Sequence, residues 1–169
     1  MIQEPLSIVT DRELALIKCL ETWFPKSRHL LCRWHVNMNV LAKTKKHFPG
    51  PVKQANGTYC RHPSFQSFLT DWNALLSCTT LSLYNELLQK MRQNHPPLAM
   101  SYCEGTWLLW KEKLVKYWVD QEPHFGVIVT SPIEGCYATL KGYLQRSSAD
   151  LKGVYDKLVL FWTDQYASI

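Results

Sequence analysis

Leu6-Ser7-Ile8-Val9-Thr10-Asp11-Arg12-Glu13, continued by Leu14, Ile17, Leu20 and Phe24 and closed by Pro25, is the stretch on which the fold turns. Leu6 to Val9 is a short β-prone run behind Pro5, and Thr10 followed three residues later by Glu13 is the pattern of a capping box, so a strand runs directly into a helix. The apolar residues after Glu13 recur at helical spacing, and proline ends the pattern about three turns on. His29-Leu30-Leu31-Cys32 is a second short apolar run. Strand, helix and strand in that order form the α/β crossover that parallel strands need.

Outward from this unit the chain reads as mostly helical. Trp34, Met38 and Leu41 open a second helix that ends near Phe48-Pro49-Gly50-Pro51, and Asn56-Gly57-Thr58 reads as a tight turn inside the clearest break in the chain. Phe65, Phe68, Leu69, Trp72, Leu75 and Leu76 share one helical stripe, as do Leu81, Tyr84, Leu87, Leu88 and Met91 before Pro96-Pro97 interrupts. Trp107, Trp110, Leu114, Tyr117 and Trp118 mark a further helix. These aromatic stripes are read as core. Phe125 to Thr130 reads as an extended segment or strand, and Ser131-Pro132-Ile133-Glu134 is another capping box, with proline at the first helical position. Leu151, Val154, Tyr155, Leu158, Val159 and Trp162 line a last helix.

At 169 residues, with 46% hydrophobic and 20% charged residues, the chain matches an ordinary globular domain and excludes a disordered or fibrous class. No apolar stretch is long enough to cross a bilayer, and no membrane partner is expected. The opening residues lack the charged and apolar segments of a signal peptide, so the expected compartment is intracellular. The six cysteines carry no CxxC pair and are read as thiols.

Charge is uneven. Between Thr22 and Thr70 there is no acidic residue but eight basic ones, Lys26, Arg28, Arg33, Lys43, Lys45, Lys46, Lys53 and Arg61, within a chain of net charge +5. Such a segment makes a positive face suited to phosphates, or a solvated lysine-rich surface. Two acids stand out. Asp11 lies where a strand ends and Glu134 in the first turn of a helix. Either can be a helix-end carboxylate, worth about 0.3–1 kcal/mol against the macrodipole. The alternative is that both converge on a divalent metal. Two carboxylates about 4 Å apart repel by roughly 4 kcal/mol at an effective dielectric of about 20, and a cation would remove that cost. Cys32-Arg33-Trp34-His35 sets a thiol and an imidazole at zinc-compatible spacing, with Cys60 and His62 further on; the second pair is too closely spaced, and the pattern disfavours zinc.

The run from Ser7 to Leu16, then Phe24-Pro25, then Leu31-Cys32-Arg33-Trp34-His35-Val36-Asn37-Met38-Asn39 resembles the catalytic core of Mutator-like (MULE) transposases. Thr130-Ser131-Pro132-Ile133-Glu134-Gly135-Cys136-Tyr137-Ala138-Thr139-Leu140-Lys141, followed by Ser147-Ser148-Ala149-Asp150-Leu151, resembles that family's segment around its third catalytic acid. The resemblance implies an α/β, partial RNase H-like fold with two or three strands. Residues 1–48 and 124–169 would form the core and 49–123 a large helical insertion. It also implies an Asp, Asp, Glu site that uses Mg²⁺ or Mn²⁺ to cut and join DNA in the nucleus. Asp11 matches the second acid, Glu134 the third, and Cys32 with His35 the CxxH motif. The family's first acid lies on an earlier strand, and Glu4 does not match it, so the expectation is an N-terminally truncated domain that is catalytically inactive by itself. The reading of the other class is a non-catalytic DNA-binding or interaction module that uses the basic face, with or without a Cys/His zinc site.

Overall fold

The computed structural model describes residues 4–121, 124, 128, 130–144 and 150–167. It divides into two units, Met1–Val129 and Thr130–Ile169, each described by itself.

Strand β1 (Ser7–Thr10) and strand β2 (Arg28–Leu31) pair in parallel, Ser7 opposite Arg28 and Thr10 opposite Leu31, with helix α1 (Leu14–Trp23) as the crossover. The ladder runs on at both ends, from the Arg28 amide to the Leu6 carbonyl at 2.8 Å and from the Cys32 amide to the Thr10 carbonyl at 2.7 Å. The strand-helix-strand reading therefore stands, but the helix start does not. Thr10 remains in the strand, and α1 is capped by Glu13, whose carboxylate accepts from the Ala15 amide at 3.2 Å. The cause is tertiary: the Thr10 hydroxyl is held by its neighbours on β2 and in the following loop, which the capping pattern does not encode. Asp11 and Arg12 are left in a loop.

Helix α2 (Arg33–Thr44) follows, prolonged by a 3₁₀ turn at Lys45–His47. It buries Val36, Val40 and Thr44, while Trp34 and Met38 are exposed. The four-residue repeat sets the core face, and the aromatic that opens the helix lies off it. The Thr44 hydroxyl satisfies itself on the Val40 carbonyl at 2.7 Å. The expected loop then contains an antiparallel hairpin, β3 (Val52–Lys53) and β4 (Tyr59–Cys60). Its turn is the one the Asn-Gly pair announces, with Gly57 at φ +81°, where a side chain would be strained.

Helix α3 (Pro63–Ser77), capped by His62, packs on helix α4 (Leu81–Asn94), capped by Thr80. The α3 stripe is buried as its spacing predicts: Phe68, Trp72, Leu75 and Leu76 are fully enclosed, and Phe65 nearly so. Pro96-Pro97 does not merely interrupt, since Pro97 is the first residue of helix α5 (Pro97–Thr106), where its missing N–H costs nothing. The expected helix through Trp107 and Trp118 is instead a 3₁₀ segment, Leu108–Lys113, kinked at Trp110, and a single turn, α6 (Lys116–Val119). One core joins Ile17, Leu31, Val36 and Val40 to Phe68, Trp72, Met91, Met100 and Val115, so the strands and the middle helices share an interior.

In the second unit, helices α7 (Ser131–Leu144) and α8 (Leu151–Ala167) pack together, with Phe161 buried and the Tyr143 ring edge-on to it at 5.6 Å. Both helices were expected. Most of the strand proposed at Phe125 to Thr130 lies outside the described residues, although the Ile128 carbonyl accepts from the Arg33 amide at 3.1 Å. Overall the chain is α/β and mostly helical. Among the described residues no helix is long and apolar enough to cross a membrane.

Candidate functional site

The loop that carries Asp11 is fixed from beneath. The Thr10 hydroxyl donates to the Asp11 carbonyl at 2.8 Å, so it accepts from His29 Nε2 at 2.6 Å. With its proton on Nε2, the His29 ring presents Nδ1 to the Lys113 ammonium, 3.5 Å away, and Lys113 pairs with Glu21 at 3.1 Å. Burial holds the His29 pKa below its ordinary value, the Lys113 charge lowers it further, and Glu21 opposes both. Burial and Lys113 thus favour the neutral imidazole, in the tautomer that the Thr10 bond selects.

The loop is gripped from above by Arg12. Its guanidinium donates to the Thr106 carbonyl at 3.1 Å and lies over the Trp107 ring, 5.2 Å from the centroid. Trp107 in turn donates its indole N–H to the Tyr102 hydroxyl at 3.3 Å. The end of α5 thus becomes one wall of the site.

Between these contacts lies a pocket of about 360 Å³. Asp11, Arg12 and Glu13 line it from the loop, Cys32, His35 and Asn39 from the corner into α2, and Tyr102, Thr106 and Trp107 from α5. Cys32 is the N-cap residue of α2 and fully buried; His35, half-buried in the first turn, meets the Trp34 ring edge-on at 4.8 Å. The structure therefore brings Asp11, Cys32 and His35 around one cavity. Cys60 and His62 are employed elsewhere: the Cys60 thiol donates to the Val52 carbonyl at 3.5 Å, and His62 Nδ1 accepts from the Ser64 amide at 3.3 Å as the cap of α3.

Glu134 belongs to the first turn of α7 in the second unit, and its side chain lies outside the described residues. Among the described residues no group of three or more His, Cys, Asp and Glu side chains is arranged to hold a metal ion. Asp11 is an exposed oxygen donor on this pocket, and Glu13, which also lines it, is engaged as the cap of α1. These donors do not by themselves make a metal centre.

The eight basic candidates separate into two sets. Arg28 and Arg33 are tied into the fold: Arg28 donates to the Glu112 carbonyl at 3.0 Å, and Arg33 to the Asn73 carbonyl at 3.1 Å and to the Ser77 hydroxyl. Lys26, Lys43, Lys45, Lys46, Lys53 and Arg61 are exposed, three of them clustered where α2 ends. Sequence reasoning did not single out Arg12, His29, Lys113, Tyr102 or Trp107 as parts of the site. Nothing local marks them, because Arg12, His29, Lys113 and Trp107 meet partners far along the chain, and Tyr102 is reached through Trp107.

Residues 1–39 match the family model for the MULE transposase domain. The chain is 23% identical to the PKS-NRPS hybrid synthetase cheA of Chaetomium globosum over an alignment of 164 positions that covers 88% of this chain and 3% of that protein. A share that small carries nothing of the synthetase's activity to this chain. No solved structure matches. The matched residues include β1, the Asp11 loop, α1, β2 and the Cys32 to His35 corner, so this part of the chain is similar to a MULE transposase domain.

Proposed function

We propose that the chain is part of the catalytic domain of a Mutator-like DNA transposase, acting on DNA in the nucleus. In this reading Asp11 and Glu134 are two of the carboxylates that hold Mg²⁺ or Mn²⁺, and the exposed cations Lys26, Lys43, Lys45, Lys46, Lys53 and Arg61 receive the DNA backbone. The observation that carries it is the place of Asp11. It is not a helix cap, since Glu13 takes that role; it stands on a fixed loop at the end of a parallel strand, on the rim of a pocket shared with Cys32 and His35. Strand ends of this kind are where α/β folds present their reacting groups. The bound metal would supply a nucleophile and steady the leaving oxygen.

A two-metal site takes more carboxylates than these two, so the 169-residue chain by itself is expected to bind Mn²⁺ weakly and to leave supercoiled plasmid uncut. Calorimetric titration with Mn²⁺ tests the acids directly. Asp11→Ala and Glu134→Ala should each abolish the binding, and a titration unchanged in both variants would remove them from the metal site. Plasmid nicking that needs Mg²⁺ and disappears in Asp11→Ala would overturn the expected inactivity.

A second reading, a DNA-binding module without catalysis, draws on the exposed cluster Lys43, Lys45 and Lys46. It predicts steep loss of DNA affinity with salt and a further loss on charge reversal of those three lysines, with Asp11 immaterial.

A further inference from the structure

The hairpin β3–β4 takes no part in the pocket around Asp11 or in the core. Val52, Lys53 and Tyr59 are exposed, Tyr59 at 69%, and only Cys60 is half-buried. Two strands alone are marginal in water. This pair is stiffened at its tip instead. The Gln54 amide donates to the Thr58 carbonyl at 2.8 Å and the Gly57 amide to the Gln54 carbonyl at 3.0 Å. Asn56 Oδ1 accepts from the Thr58 amide at 3.0 Å and from its hydroxyl at 2.6 Å. The result is a preorganised ribbon whose outer face is bare.

That face has a definite chemistry. Lys53 and Tyr59 are partners in the register, so their side chains share one side of the ribbon. Arg61 follows two residues beyond Tyr59 and is exposed. An aromatic ring thus stands across the ladder from one cation, Lys53, and a second, Arg61, follows where the strand ends, in a stretch with no acidic residue from Thr22 to Thr70. An exposed tyrosine so placed selects a partner with a dense negative surface and an apolar or π-rich interior.

The geometry points to this hairpin as a ribbon that enters the major groove of duplex DNA, with Tyr59 against the base edges and Lys53 and Arg61 on the flanking phosphates. The assignment rests on the reading of the chain as DNA-acting and adds the element that reaches the bases. The major groove, about 12 Å wide, admits a two-stranded β-ribbon, and thymine methyl groups there offer an apolar contact. Lysine and arginine on the groove walls set the register without reading sequence. A single-strand binder would be built differently, from successive aromatic platforms along a basic groove. The described hairpin has one such ring.

The test is fluorescence anisotropy of the full 169-residue chain with a labelled duplex across a salt series. Tyr59→Ala should weaken duplex binding about tenfold and leave the salt slope unchanged. Lys53→Ala with Arg61→Ala should reduce that slope by about two. Methylation of guanine N7, which lies in the major groove, should interfere with wild-type binding. All three side chains are exposed, so melting temperatures should match wild type and a binding loss cannot be blamed on unfolding. If both hairpin variants bind as wild type while charge reversal at Lys43, Lys45 and Lys46 abolishes binding, the hairpin inference falls and the DNA reading survives. Absence of DNA binding by the wild type would end both. An equal loss on single-stranded DNA, or competition by polyglutamate as effective as duplex, would overturn the groove assignment.

Discussion

The α3–α4 layer and the loop at Asp11 use polar groups in opposite ways. In the layer, polar side chains bond one another. The Trp72 indole donates to Asn37 Oδ1 at 3.0 Å, Asn37 donates to Asn73 Oδ1 at 3.0 Å, and Asp71 accepts from His95 at 2.8 Å and from Lys90 at 3.2 Å. Arg92 and Glu104 close a two-pronged pair between α4 and α5 at 2.8 and 2.9 Å. Phe68, Leu75, Leu76 and Met91 fill the space between them with no exposure. At the loop, the bonds run beneath and beside Asp11 but leave the carboxylate itself on the rim of a cavity. The layer's polar groups spend themselves on one another, two of the bonds at part-buried positions, whereas an open carboxylate is useful only for what comes to it. Asn37 and Arg33 belong to the same helix that carries His35. The rigid layer therefore holds the wall of the open pocket, and the middle helices are structural support for the acid rather than an appendage.

The comparison predicts that damage to the layer is felt as stability. Trp72→Ala removes a fully buried indole and takes the donor away from Asn37 Oδ1, and should cost about 3–5 kcal/mol in urea unfolding. A loss under about 1 kcal/mol would mean that the layer is loosely packed and the contrast false. Asp71 sharpens the point through pH. Burial pushes its carboxyl upward, but the bonds from His95 and Lys90 and their charges outweigh burial and hold the pKa below the usual range. A depressed carboxyl stabilises the fold above its unfolded pKa of about 4, and that stability is lost as pH falls through the folded value. Asp71→Asn should therefore lower stability at neutral pH by about 1–2 kcal/mol and flatten the acid limb of the stability curve. An acid limb identical to wild type would show the pair to be idle.

The layer was legible in the sequence for the same reason that it is stable. Phe65, Phe68, Trp72, Leu75 and Leu76 repeat with the helical period over 12 positions, and long amphipathic patterns leave little room for another structure. The loop was half legible. The position of Asp11 behind a strand follows from four residues of β-prone sequence, but Thr10 to Glu13 satisfies a helix cap equally well. The decision falls to His29, which is adjacent only once β1 and β2 have paired. Pro97 reads as an interruption or as a helix start, and only the α5 packing distinguishes them. The pocket wall was illegible, because Tyr102 and Trp107 have the composition of core residues and their role depends on a guanidinium far along the chain.

Arg12 is where the two regions meet, and its substitution has the smallest expected effect on stability. The guanidinium bridges the Asp11 loop to Thr106 and Trp107 with one hydrogen bond and one cation–π contact, together worth about 1 kcal/mol at a half-buried position. Arg12→Ala should lower unfolding stability by about that amount while freeing the loop from α5, and should displace the indole N–H resonance of Trp107 in an NMR spectrum. Arg12→Lys keeps a cation near the ring but loses the planar fork that reaches the Thr106 carbonyl, so its shift should be intermediate. Asp71→Asn, which acts within the layer, should leave that resonance in place. If the Trp107 signal ignores Arg12→Ala and moves instead with Asp71→Asn, α5 answers to the layer rather than to the loop. The acid would then be positioned by the strand relay of Thr10 and His29 without help from the middle helices.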